Sequence, residues 1–219
     1  MVPPADVNVR PNEPEHRDIE RFIVRHPYDP GRSAQLLAGL GYTKGPDGGL
    51  IDAAGQKLEL EVRATASPAI HAKTMQPVAD YWQRLGITIN QVIIPVQRLT
   101  DFEYRTTMPG VEVVRYGSGA DRVDQLHGSK APLPENRYSG TNRSRYVNPE
   151  FDGLLDRYYA TIQWAPRMQA LGQVARYISE QLVVMGMIYD VAPVLIGHQL
   201  ENVATPNPTW NIQQWALKG

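Results

Sequence analysis

The sequence predicts an α/β fold, a largely parallel sheet flanked by helices, and three observations carry that expectation. Lys57 to Ala64 alternates polar residues with Leu58, Leu60 and Val62, as a half-buried strand does. Met75, Val78, Ala79, Trp82 and Leu85 then recur at helical spacing after Ser67-Pro68, and Gly86 stops that helix. Ile87, Ile89, Val92, Ile93 and Ile94 follow as a second apolar strand, so residues 57–94 read as one βαβ unit. A crossover of this kind demands parallel strands, and repeated strand–helix–strand order puts helices on both faces of the sheet.

The remaining elements follow in order. Pro3, Pro4, Pro11 and Pro14 among polar residues mark residues 1–25 as an extended arm. Asp29 caps a helix whose first position is Pro30, with Ala34, Leu37 and Leu40 on one face and Gly41 as its stop. Gly45-Pro46-Asp47-Gly48-Gly49 is a turn cluster ahead of the first strand. After the βαβ unit, a short helix over about Val96 to Thr106 leads to a third strand, Val111 to Tyr116. Asn148-Pro149 opens the next helix, with Phe151, Leu154, Leu155, Tyr158 and Ile162 as its stripe. The helix of about Pro166 to Leu182 buries Met168, Leu171, Ala175, Ile178 and Leu182, and the apolar run Val183 to Tyr189 is expected as a fourth strand. Pro193, Pro206 and Pro208 punctuate a tail, residues 193–219, with little periodicity.

Composition narrows the function classes. With 22 Lys and Arg against 23 Asp and Glu, the net charge is -1, which offers no electrostatic footprint for nucleic acid. The absence of cysteine removes disulfides, thiolate metal sites and a cysteine nucleophile. His16, His26, His71, His127 and His198 show no metal-ligand spacing, and no nucleophile elbow or phosphate loop occurs. No stretch is apolar enough to span a bilayer.

Ligands of open α/β sheets sit beyond the carboxyl ends of the strands, which directs attention to Arg115-Tyr116 and the turn Gly117-Ser118-Gly119-Ala120-Asp121-Arg122. Two glycines there let backbone approach a ligand. The bland alternative is that Asp121 caps a turn and Arg115 pairs with it at the surface. Asn142-Arg143-Ser144-Arg145-Tyr146, just before the Asn148 helix, offers two guanidinium groups and two hydroxyls to an anionic or polyhydroxylated ligand, or is a solvated loop.

Three segments in fixed order add a second line of inference: Tyr28-Asp29-Pro30 running into Ala34, Leu36, Leu37, Gly41 and Tyr42; Tyr146-Val147-Asn148-Pro149-Glu150-Phe151-Asp152; and Trp210-Asn211 with Trp215. From about Tyr28 to Trp215 the chain resembles the C-terminal half of the extracytoplasmic solute-binding proteins of ABC importers, the family of oligopeptide, dipeptide and nickel binders. The resemblance implies a periplasmic-binding-protein-like lobe over residues 26–192, an inter-lobe linker in residues 1–25, and a tail returning toward an N-terminal lobe that is missing here. It also implies capture of a peptide or other small polar solute by closure of two lobes, delivery to a membrane permease, a periplasmic or extracytoplasmic location with any signal peptide upstream of Met1, and neither catalysis nor a resident cofactor. In that family an Ala-Asp pair receives a peptide's ammonium group, matched by Ala120-Asp121, and some members place an arginine six positions earlier for the carboxylate, matched by Arg115. Ser118 stands where oligopeptide binders carry a bulky aromatic, and Arg122-Val123-Asp124-Gln125 departs from their tyrosine-proline-aspartate-proline run. The family's nickel binders hold chelated metal with few protein ligands, so the histidine spacing leaves such a solute open. Two other readings stand beside this one: an α/β enzyme using Asp121 as acid or base, and a ligand-sensing lobe without transport.

Overall fold

The alternation of residues 57–64 becomes a strand, and its two faces decide what surrounds it. The computed structural model describes residues 4–190, 194–204 and 211–218; Pro3, Pro193, Pro206, Pro208 and Trp210 lie outside them. The elements are α1 (Pro14–Ile19), α2 (Pro30–Gly39), β1 (Thr43–Lys44), β2 (Leu50–Ile51), β3 (Glu59–Thr65), α3 (Ala69–Leu85), β4 (Thr88–Ile94), α4 (Phe102–Thr106), β5 (Val111–Val113), α5 (Pro149–Ala160), α6 (Trp164–Gln181), β6 (Leu200–Glu201) and β7 (Ala216–Leu217). They fall into two compact units, one of residues 4–187 and one made of the described residues between 188 and 218.

In the larger unit the sheet order is β4-β3-β5, parallel throughout. Val62 stands opposite Val111, and Ala64 opposite Val113. These four side chains meet Met75 and Trp82 of α3, and Val62, Ala64 and Ala79 are wholly buried. Gly110 enters β5 so close to Glu61 that a Cβ would collide with the Glu61 carbonyl. The strands' other side chains, Glu61, Arg63 and Glu112, point away from α3 by the two-residue period of a strand. On that face β4 contributes Val92, half-buried, and Ile94, wholly buried, beside the charged side chains. Glu61 pairs with Arg63, Glu112 pairs with Arg105 of α4, and the Arg63 guanidinium donates to the Tyr104 carbonyl at 3.1 Å. The sheet is thus flanked by helices as expected, with α3 packed on one face by apolar contact and α4 on the other across a charged layer.

The main apolar core is helical and separate. α5 and α6 pack on each other and α1 on α6, burying Phe151, Leu155, Tyr158, Leu171, Val174 and Ile178 completely or nearly so. Asn148 caps α5, its Oδ1 accepting from the Glu150 and Phe151 amides at 2.9 and 3.2 Å. Ile162 and Leu182, expected on the apolar stripes, lie beyond the helices and are exposed.

Three further expectations are corrected. Residues 14–22 are helical where extended chain was expected, because Pro14 suits a first helical turn, and Val7, Val9 and Ile19 join the helical core. Residues 96–106 split into a 3₁₀ turn, Val96–Arg98, and α4, which Asp101 caps by accepting from the Tyr104 amide at 3.0 Å. Val183 to Tyr189 forms no strand. Its backbone passes so close to Ala5 at Gly186 that a Cβ would collide with the Ala5 carbonyl, and Met185 and Met187 are half exposed. α2 forms with its Asp29 cap, the carboxylate accepting from the Arg32 amide at 2.8 Å, but Leu36 and Leu40 stay exposed.

In the smaller unit β6 and β7 pair antiparallel. Asn211 organises it, accepting from the Ala204 amide at 2.9 Å and from the Trp215 ring nitrogen at 3.3 Å.

Candidate functional site

The end of β5 is set by a histidine. β5 stops at Val113, three residues before the expected Tyr116, and the Arg115 amide donates to His71 Nε2 at 3.0 Å instead of to a strand. His71 sits in the first turn of α3, buried, with Nδ1 2.6 Å from the Thr65 hydroxyl, which donates to the Ser67 carbonyl at 2.9 Å. These partners fit a neutral ring protonated on Nδ1, since Nε2 must accept. His71 thereby ties the ends of β3 and β5 together and launches Arg115–Asp121 out of the sheet.

The launched loop is braced from the N-terminal segment. The Gly119 amide donates to the Asn8 carbonyl at 2.7 Å, the Asn8 amide group to the Gly117 carbonyl at 3.3 Å, and the Ala120 amide to a Glu13 carboxylate oxygen at 3.0 Å. Past Gly119, residues 120–126 turn as a 3₁₀ helix that buries Ala120, Val123 and Leu126 in the helical core. Its outer side chains face an open cleft of about 610 Å³, whose other wall is Tyr138 to Thr141 and Arg143, with Phe102 and Thr106 of α4 alongside.

Charge in this cleft is mostly paired. Asp121 lies 3.5 Å from Arg122, both well exposed, and Lys130 pairs with Asp124. Arg143 lies 3.7 Å from Glu112, and burial pulls the Arg143 pKa below its ordinary value. The Tyr116 hydroxyl donates to the Thr141 carbonyl at 2.6 Å, and burial pushes its pKa up to about 12, so it remains a neutral donor.

Of the residues singled out in the sequence, Asp121, Arg122 and Arg143 line the cleft together, and Tyr116 holds its Thr141 wall. Arg115 and Ser118 lie on the loop before the cleft, outside its lining. Arg145 reaches the Thr106 carbonyl at 3.1 Å. Asn142 is fully buried beneath the loop as its staple, donating to the carbonyls of Leu126, His127 and Tyr146 at 3.0, 3.3 and 2.8 Å. Sequence reasoning missed Gln125, Lys130 and Tyr138 in the lining, and Glu112 and Arg105 behind Arg143. Strand alternation could have found Glu112, an acidic residue between Val111 and Val113.

One constellation invites chemistry. Ser129 Oγ lies 2.8 Å from His127 Nδ1, and His127 Nε2 lies 3.5 Å from Asp156. The same Nδ1 accepts the Ser129 backbone amide at 3.1 Å, so His127 caps the turn Gly128–Lys130, and the Asp156 side chain is 76% exposed. Among the described residues no group of three histidine or acidic side chains is placed to hold a metal, and no helix is long and apolar enough to cross a membrane.

An oligopeptide-binding protein from Thermus thermophilus, solved with a pentapeptide, superposes on 93% of this chain with a TM-score of 0.74 at 22% identity. NikZ from Campylobacter jejuni, solved with Ni(L-His), covers 86% with a TM-score of 0.69 at 17% identity. This chain has the fold of part of an ABC-transporter solute-binding protein. It spans 36% and 39% of the lengths of those two solute-binding proteins. A probable ABC transporter-binding protein of Deinococcus radiodurans is 34% identical over 89 residues, which are 40% of this chain and 15% of that protein. No protein-family model matches the chain.

Proposed function

We propose that this chain captures a small polar solute, a peptide or a compound of similar polarity, for import by an ABC transporter, and that the cleft beside Asp121, Arg122 and Arg143 is its part of the solute site. The observation that carries the reading is a strand-end loop fixed by His71, Asn8 and Glu13 at the mouth of a polar cleft, in a solute-binding fold. Fixed donors and acceptors of both signs suit a zwitterionic or multiply hydrogen-bonding solute. Asp121 would take a cationic group only by exchanging Arg122 for it, Arg115 and Ser118 would contact the solute from the loop, and Arg145 would act at the rim through Thr106.

The partners of this reading are the solute, the rest of the protein as a second lobe, and a membrane permease; the location is extracytoplasmic. Hinge closure of two lobes would expel water and fix the solute between them. The reading assigns the chain no catalytic role. An acid or base group in a reaction is ordinarily shielded from bulk water, whereas the Asp121 side chain is 78% exposed.

Native mass spectrometry of the complete protein purified from its own cell envelope tests this. A discrete small mass lost on unfolding is the expected result. A protein that is ligand-free, and stays so after incubation with cell extract, contradicts solute capture.

A further inference from the structure

On the face of the sheet away from α3, one carboxylate serves two guanidinium groups. Glu112 Oε1 is held tightly by Arg105 of α4, and both side chains are about nine-tenths buried, at 9% and 10% exposure. Glu112 Oε2 is left for Arg143, but at 3.7 Å the contact is Coulombic and too long for a hydrogen bond. Arg143 is itself only 26% exposed and lies in the lining of the cleft.

The charges around it do not complete the balance. Asp121 is matched by Arg122, and Asp124 by Lys130, each within one ion pair. Glu61 is likewise matched by Arg63 in the same layer. What remains is a net charge of about +1 on the Arg105–Glu112–Arg143 group, in a partly desolvated setting where a charge without a counterion is costly. Burial and the like charge of Arg105 both oppose the Arg143 cation, and Glu112 supports it. A planar guanidinium stripped of part of its hydration and lacking a close side-chain acceptor is suited to receive two oxygens in one plane.

We propose that Arg143 is a specificity-determining residue of the cleft and binds one singly charged oxyanion of the solute, a carboxylate, with Glu112 and Arg105 as the positioning residues that hold its guanidinium. This deepens the solute-capture reading and rests on it. A single negative charge neutralises the group, whereas a phosphate dianion exceeds it. The assignment differs from the one implied by family resemblance, in which Arg115 receives the carboxylate.

The test probes the subsite with simple anions, so that it does not depend on knowing the solute. In the complete protein labelled with ¹⁵N-arginine, the Arg143 Nε–H resonance is identified by its loss in Arg143→Lys. Acetate should shift that resonance along a saturating curve in the millimolar range. The resonances of exposed Arg122 and Arg145 should respond only linearly, and acetamide should leave Arg143 unmoved. Glu112→Gln should change the acetate affinity at Arg143, because the group's charge and the guanidinium's hold both change. A response at Arg143 no larger than that at Arg122, or one that acetamide or methyl phosphate reproduces, overturns the proposal. Such a failure leaves solute capture standing if a small mass is still lost in native mass spectrometry. A ligand-free protein with a saturating acetate site instead sinks capture and keeps the anion subsite.

Discussion

The helical core and the outer face of the sheet use opposite means of holding the chain together. In the first, Phe151, Leu155, Leu171 and Ile178 exclude water and contribute by apolar burial, which is non-directional. In the second, Glu61, Arg63, Arg105, Glu112 and Arg143 are held by charge and geometry, and their removal from water is offset only while the pairs persist. The first region's burial involves no group left over for a solute. The second carries an imbalance of charge beside the cleft, and that is a property a binding site uses and a core avoids.

Breaking each region separately sharpens the contrast. Phe151→Ala, which empties a wholly buried site stacked on Tyr177, should lower unfolding stability by about 3–5 kcal/mol in chemical denaturation. Glu112→Ala should cost about 3 kcal/mol, because it leaves Arg105 buried without its partner, and the loss should vary with salt less than an exposed pair's would. A substitution at Glu112 that proves neutral would show that the charged layer is hydrated and loose. At the join of the two regions, the Tyr116 phenol ordinarily titrates near 10 and is pushed up to about 12 by burial. The folded state therefore holds the proton more tightly than the unfolded one, and stability falls as pH rises from about 10 toward 12. Phenolate absorbance that appears only together with loss of the near-ultraviolet circular dichroism signal is the expected outcome. Asn148→Ala, which removes the α5 cap, should cost about 1 kcal/mol. Asp121→Ala should change stability by less than about 0.5 kcal/mol, since the side chain is exposed, while weakening solute binding by the complete protein.

The contrast also explains what was legible in the sequence. The helical core could be read residue by residue: Asn148-Pro149 and the stripe Phe151, Leu155, Tyr158 form and bury as their spacing says. Local capping and a 3.6-residue period need no knowledge of distant partners. The outer face of the sheet could not be read that way. Arg105, Glu112 and Arg143 look like ordinary surface charges until the register beside β3 and the position of α4 bring them together. The same holds for the strand ends. β5 was expected to run to Tyr116, but His71, 44 residues away from Arg115, takes the amide that would have continued it. Val183 to Tyr189 has the composition of a buried strand but makes only a bridge at Ile188, with the Met187 carbonyl accepting from the Ala5 amide at 3.4 Å. Asn142 reads as a loop polar group in either of its roles, and only burial distinguishes a staple from a ligand contact.

Solute capture at the cleft beyond β5 should leave its mark on hydrogen exchange of the complete protein, measured with its co-purified solute in place and again after the solute has been removed. Solute-dependent protection concentrated in residues 117–126 and 138–145, with the α5–α6 core unchanged, is the predicted result. Protection that falls elsewhere, or is spread evenly through the helical core, would contradict it.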